Sequence, residues 1–82
     1  MDYSSITELD LSYKGLTQLP DLSLYTNLKN LNCSQNQITS MNNLPHTITD
    51  LDCADNPFTY DFIPTLENIR KHTQNTYIKI KN

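Results

Sequence analysis

The sequence predicts a small α/β fold, a right-handed solenoid with a short parallel sheet that is closed by a C-terminal capping helix plus strand. Three observations predict this fold. One apolar pattern recurs at offsets of 22 and 20 residues. Each recurrence contains the two-residue alternation of a half-buried strand. The chain has one glycine, which disfavours the tight Asn-Gly turns of β-hairpins. A fixed period of this length is typical of a solenoid.

The strands are predicted at the alternating part of each copy. They read "ELDLS", "NLNCS" and "DLDCA", at residues 8–12, 30–34 and 50–54. The segment between successive strands is too long for a hairpin, so the strands are expected to run parallel. The 82 residues form one predicted domain, 1–82, with copies at about 6–27, 28–47 and 48–60 and a C-terminal cap at 61–82.

The three copies share more than their strands. They align as Ile6-x-x-Leu9-x-Leu11, Leu28-x-x-Leu31-x-Cys33 and Ile48-x-x-Leu51-x-Cys53, followed by Lys14, Asn36 and Asn56 and then by Leu16, Ile38 and Phe58. This pattern resembles the leucine-rich repeat. The resemblance covers residues 6 to about 60, and the first copy departs from it because Lys14 replaces the asparagine. It implies a repeat solenoid that binds proteins through its concave face.

Individual copies are similar to repeats of particular groups of proteins. The stretch "LTQLPDLSLYTNLKNLNCSQNQITSM", residues 16–41, resembles the 22-residue repeats of internalins. The stretch "NNLPHTITDLDC" resembles the 20-residue repeats of bacterial effectors and giant-virus proteins. By analogy, this implies a viral or effector protein that acts in host cytoplasm. That analogy concerns association and gives no mechanism.

The cysteines and asparagines have predicted structural roles. Cys33 and Cys53 are expected to point inward as small buried hydrophobic residues. Where the chain then leaves the sheet, its backbone polar groups need partners. An asparagine side chain offers two donors and an acceptor, so Asn36 and Asn56 are expected to form a ladder that satisfies them, as the family resemblance also implies.

The C-terminal region breaks the repeat. The segment "DFIPTLENIRKHTQN" predicts a helix with Phe62, Ile63, Leu66 and Ile69 on one face, Asp61 or Thr65 as N-cap, and Lys71 and His72 near the C-terminus of the helix. The alternation in "TYIKIK" predicts a fourth strand, with Ile78 and Ile80 inward. Lys79 and Lys81 would then protect the sheet edge from unwanted pairing.

Composition excludes several classes of function. The net charge is -3, with six basic residues, too few for the clustered basic surface that nucleic acids require. No apolar stretch is long enough to span a membrane, and the N-terminus lacks a signal peptide. A cytoplasmic protein is therefore predicted, in which the two cysteines are reduced. No nucleic-acid or membrane partner is expected.

No motif predicts catalysis, so the protein is not expected to be an enzyme. One glycine excludes a phosphate-binding loop of the usual kind. Zinc would need four ligands, whereas the chain lacks Cys-x-x-Cys and paired histidines, and His46 and His72 are interpreted as surface residues. A nucleophile, base and orienting group are not recognisable in any motif. No cofactor and no metal site are predicted.

The outward-facing side chains of the strands, called the strand face below, are the predicted partner-binding site. Its predicted residues are Glu8, Asp10, Tyr13, Asn30, Asn32, Asp50, Asp52, Tyr77 and Lys79. Their acidity favours a protein partner with a basic patch, and tyrosine is enriched at interfaces. The simpler alternative is that these are solvated polar residues with no partner.

Self-association is the second functional hypothesis. A solenoid this short has a small core, and its terminal repeats need caps. The first strand has an open edge that a second chain would cover, giving a homo-oligomer with a continuous or swapped sheet.

Overall fold

The computed structural model of the protein describes residues 2–72 and contains a small α/β fold. A 3-10 helix, Tyr3–Ser5, precedes three strands: β1 (Glu8–Asp10), β2 (Asn30–Asn32) and β3 (Asp50–Asp52). The strands form one parallel sheet in the order β1-β2-β3. Residues 66–72 form a helix, called α1. The predicted fourth strand at residues 76–81 lies outside the described residues.

The register of the sheet follows the leucines. Leu9 lies opposite Leu31, and Leu31 lies opposite Leu51. The predicted parallel pairing of the three copies is therefore confirmed. Because strand residues alternate between the two faces of a sheet, this register places the neighbours of each leucine together on the opposite face. The two resulting rows are Glu8–Asn30–Asp50 and Asp10–Asn32–Asp52.

Each strand ends two residues earlier than the sequence predicted. The side-chain Oδ1 of Asp10 accepts a hydrogen bond from the backbone N–H of Ser12 at 2.9 Å. The corresponding atoms of Asn32 and Asp52 accept from the second residue downstream in the same way. This side-chain bond is typical of a turn and replaces a regular strand. Ladder bonds do continue at intervals, since Leu11 N–H donates to the Asn32 carbonyl at 2.6 Å.

A left-handed residue completes each turn. Tyr13, Gln35 and Asp55 have φ of +56°, +57° and +57°. They occupy the same position in the three copies, and none of them is glycine. This conformation is uncommon for residues that carry a Cβ atom. The sequence predicted Tyr13 on the outward strand face, but it did not predict the left-handed backbone conformation at any of the three positions.

The core lies on the inward side of the sheet. Its buried members are Leu19, Leu22, Leu28, Leu31, Cys33, Ile38, Met41, Ile48, Cys53 and Ile69. The inward direction predicted for both cysteines is thus confirmed, and both are free thiols. The second copy contributes three of the four core residues that are 0% exposed, namely Leu28, Cys33 and Ile38, and the fourth is Ile48 at the start of the third copy. Leu9 and Leu51, on the edge strands, are only half-buried.

Helix α1 begins at residue 66, later than the sequence predicted. Thr65 acts as its N-cap, since its Oγ1 accepts a hydrogen bond from the Asn68 N–H at 3.1 Å. Ile69 is buried, and Phe62 and Leu66 pack against the core. Ile63, which was predicted on the apolar face, is 74% exposed. It precedes Pro64 and lies outside the helical segment, so the helical spacing that placed it inward does not apply.

One arginine connects α1 to the turn before β3. The Nη2 atom of Arg70 donates hydrogen bonds to the carbonyl oxygens of Pro45, His46 and Ile48 at 3.3, 3.1 and 2.7 Å. An ionised donor makes stronger hydrogen bonds than a neutral one. Arg70 therefore fixes the helix against the junction of the second and third copies.

An aromatic cluster also packs beside α1. The rings of Phe58, Tyr60 and Phe62 stack in sequence, with centroids 5.7 and 4.5 Å apart. His72 lies edge-on to Tyr60 at 5.3 Å. The Tyr60 hydroxyl accepts a hydrogen bond from the Met41 N–H at 2.8 Å. The cluster therefore joins residues 58–62 to both the helix and the second copy. Within residues 2–72, no helix reaches the length and apolarity of a membrane span.

Candidate functional site

The register of the three strands brings the polar residues of the strand face together. Each strand contributes one polar residue on either side of its inward leucine, and the in-register pairing brings these residues into two rows. Neighbouring strands in a sheet lie about 4.8 Å apart. The acidic residues of β1 and β3 are therefore about 10 Å apart across the amide residues of β2. Within each row, an amide residue separates two acidic residues.

Side-chain hydrogen bonds connect and orient these rows. The Nδ2 atom of Asn30 donates to Glu8 Oε1 at 3.1 Å. In the other row, Oδ1 of Asp10 accepts from the Ser12 hydroxyl at 2.6 Å as well as from its N–H. Both hydrogen bonds from Ser12 lower the pKa of Asp10, and the bond from the hydroxyl has the larger effect. Asp10 therefore keeps its negative charge to a lower pH than an unperturbed aspartate does.

The structure brings together six of the nine predicted partner-binding residues. Glu8, Asp10, Asn30, Asn32, Asp50 and Asp52 line a shallow groove of about 580 Å³ along the strands. Tyr13 lies in the turn after β1, 77% exposed, and does not line this groove. Tyr77 and Lys79 lie outside the described residues. The predicted residues that line the groove are thus four acidic and two amide side chains.

The asparagine ladder is present beside this face. Asn36 Oδ1 accepts from Lys14 N–H and Leu16 N–H, each at 3.0 Å. Its Nδ2 donates to the carbonyls of Leu11, Cys33 and Ser34 at 2.9, 2.9 and 3.2 Å. Asn56 bonds in the same way to Ile38 N–H and to the carbonyls of Cys33, Cys53 and Ala54. The prediction that these side chains satisfy the backbone at the turn is confirmed.

The thiols beneath the face are chemically protected. Burial raises the pKa of the Cys33 thiol to about 12, with smaller contributions from Cys53 and Asp52. Burial also raises the pKa of Cys53, and its Sγ lies 3.4 Å from the Pro64 carbonyl oxygen. A thiol must ionise to act as a nucleophile or metal ligand. These cysteines therefore serve as packing groups, and in residues 2–72 no cluster of His, Cys, Asp or Glu is arranged to hold a metal ion.

A second groove lies away from the strands. It has a volume of about 730 Å³ and runs between residues 21–26 and 43–47. Asp21, Tyr25, His46 and Thr47 contribute to its lining. The Thr47 hydroxyl is buried and, within the described part of the chain, makes no hydrogen bond. Sequence reasoning missed this groove because its walls come from two irregular segments that show no shared motif.

Comparison of the chain with protein-family models, with curated proteins and with solved structures returns no match. The function of the protein is therefore inferred from the geometry of the strand face and from the sequence pattern.

Proposed function

We propose that this protein is a binding module of the leucine-rich repeat type that docks a partner protein through the strand face. The observation that supports the proposal is the pair of in-register rows, in which acidic and amide side chains alternate along one groove. Such a face complements a partner surface with basic side chains. Charges of this kind accelerate encounter and select partners more than they increase affinity.

The proposed architecture is a right-handed repeat solenoid in which residues 61–82 form the C-terminal cap. Support comes from Arg70 and from the stacking of Phe62 on Tyr60, which hold residues 61–72 against the second and third copies. We propose a cytoplasmic location, since the sequence carries no motif of a disulfide framework and the two thiols pack in the core. The proposed role is binding, without catalysis or cofactor.

Peptide display tests the strand face even though the natural partner is unidentified. A random peptide library is panned on the protein, and each selected peptide is then titrated against the D50K/D52K variant and the matched D61K/E67K variant. Both variants change the net charge equally, but Asp61 and Glu67 lie outside the strands. We expect selected peptides to be basic, to lose binding to D50K/D52K and to keep binding to D61K/E67K. Equal binding to the two variants would contradict the proposal.

Self-association is the alternative proposal, and one observation favours it. The described sheet is open at both edges, and unpaired edge strands can pair with another chain. Light scattering after size exclusion, over a hundredfold range of concentration, tests it. A dimer that persists on dilution supports this alternative, whereas a monomer at every concentration refutes it.

A further inference from the structure

The outer edge of β1 is a second feature of the sheet that can engage a partner. The Thr7 carbonyl accepts a hydrogen bond from the N–H of Asn30 in β2, and the Leu11 N–H donates one to the carbonyl of Asn32 at the other end of β2. Because backbone groups of a strand alternate in direction, the N–H and C=O groups of Glu8 and Asp10 point to the opposite side. In the described chain no strand lies on that side.

Charge makes this edge unfavourable for a second copy of the protein. Two β1 strands that pair antiparallel through these outward groups place Glu8 or Asp10 directly opposite another acidic residue. Extending the sheet in the internal register would place Asp50 beside Glu8 and Asp52 beside Asp10 of the next copy. Like charges directly opposite each other destabilise strand pairing. Inside the chain, by contrast, both acidic strands pair with the amide strand β2.

We propose that the β1 edge accepts an extended segment of a basic partner protein, which pairs as an added strand and carries Lys or Arg at two alternate positions. Strand addition of this kind takes its affinity from main-chain hydrogen bonds and its specificity from alternate side chains. The partner's alternate basic residues lie beside Glu8 and Asp10, both of which are exposed. The inference deepens the proposed function and rests on it, because it specifies the backbone geometry of the same basic partner.

Three synthetic peptides test the proposal on the full chain labelled with nitrogen-15. The first has the sequence TVKVKVT, the second has glutamate in place of each lysine, and the third is the lysine peptide with its internal amide nitrogens methylated. The third keeps the charges but cannot donate ladder hydrogen bonds. Binding is followed through amide chemical shifts, and amide hydrogen exchange is compared between Glu8, Asp10 and the central-strand residue Leu31.

We expect the lysine peptide to slow exchange at Glu8 and Asp10, without a change at Leu31. The glutamate and methylated peptides are expected not to do so. The E8Q/D10N variant keeps the oxygen atom that accepts from Ser12 but removes both charges. We expect its affinity for the lysine peptide to be about fivefold lower than that of the wild type. The E8K/D10K variant should reverse the preference towards the glutamate peptide.

The outcomes separate this proposal from the proposed function. Equal binding of the methylated and unmethylated peptides, or shifts at Asp50 and Asp52 without shifts at Glu8 and Asp10, would overturn the edge proposal and leave the strand face as the binding surface. Absence of binding by the lysine peptide would also overturn the edge proposal. The proposal that the strand face binds the partner is contradicted only if the peptides selected by display bind D50K/D52K and D61K/E67K equally.

Discussion

The middle copy and the two outer copies place equivalent residues in different surroundings. Leu31 is 2% exposed, whereas its partners Leu9 and Leu51 are half-buried. Asn36 is buried and Asn56 is half-buried, and the first copy has Lys14 at this position. A residue in the middle copy is covered by a copy on each side, so it is more buried and stabilises the fold more than the equivalent residue in an outer copy. The stability of the whole domain should depend mainly on the middle copy.

The largest expected effect comes from a charge in the middle strand. Leu31→Asp would bury an unpaired carboxylate, which costs more than the roughly 4–12 kcal/mol of stability expected for a chain of this length. We expect this variant to be unfolded at 25 °C by circular dichroism. The matched variant Leu51→Asp, at a half-buried position, should retain a cooperative melt. A native melt of Leu31→Asp would contradict the buried position of β2.

The asparagine ladder gives the next largest effect. Asn36→Ala removes five hydrogen bonds and leaves buried backbone groups without partners, which should cost about 3–5 kcal/mol. Asn56→Ala removes four, in a more exposed place, and should cost about 1–3 kcal/mol. Urea unfolding measures both values. Equal costs for the two variants would show that the ladder does not depend on its position in the sheet.

The sequence predicted these contacts because they repeat. A pattern that recurs in two registers indicates which residues face inward, so the sheet and the buried Leu31 followed from spacing. The role of the two asparagines followed from the chemistry of the amide group and from the family resemblance. After residue 60, where the repeat ends, the sequence predicted the structure less accurately. The spacing predicts Ile63 on the apolar face of a helix, but the chain before Pro64 is not helical. The second groove depends on how two irregular segments meet in space, which no residue pattern records. The left-handed residues do recur at one position of the repeat, but they are Tyr, Gln and Asp, so no glycine marks them in the sequence.

The buried Cys33 thiol should make the free energy of unfolding depend on pH. Burial raises the folded-state pKa of Cys33 to about 12, from a value of 9.0 for an unperturbed thiol. The neutral thiol is therefore favoured in the folded state. Its contribution to stability is fully present below pH 9.0 and is lost as the pH rises through about 12. Between these values, unfolding should become easier by about 1 kcal/mol per pH unit.

Urea unfolding at pH 8 to 11, an interval chosen to cover most of that window, tests the assignment to Cys33. The Cys33→Ala variant should show a weaker decrease in stability with pH than the wild type. Tyrosine ionisation contributes equally to both proteins, so it cancels in the difference. Identical pH dependence of the two proteins would be inconsistent with a buried, protonated Cys33.

The left-handed residues allow a smaller test in an outer copy. Tyr13 has φ of +56° and is 77% exposed, so its side chain adds little packing while its Cβ atom strains the backbone. Tyr13→Gly should be more stable than Tyr13→Ala by about 0.5–1 kcal/mol, because both lack the ring and only alanine keeps the Cβ atom. Thermal unfolding of the two variants gives this difference. A less stable glycine variant would contradict the left-handed turn.

The smallest expected effect lies on the strand face. Asp52→Asn keeps the Oδ1 atom that accepts from the Ala54 N–H, and asparagine already makes the equivalent bond at Asn32. Stability should therefore change by less than about 0.5 kcal/mol. Binding of a basic peptide should weaken, because one of the four acidic charges on the face is lost. Denaturant unfolding and peptide titration of the same sample separate these effects. A large loss of stability would mean that the Asp52 charge serves the fold, whereas unchanged stability with weaker binding would assign that charge to partner recognition.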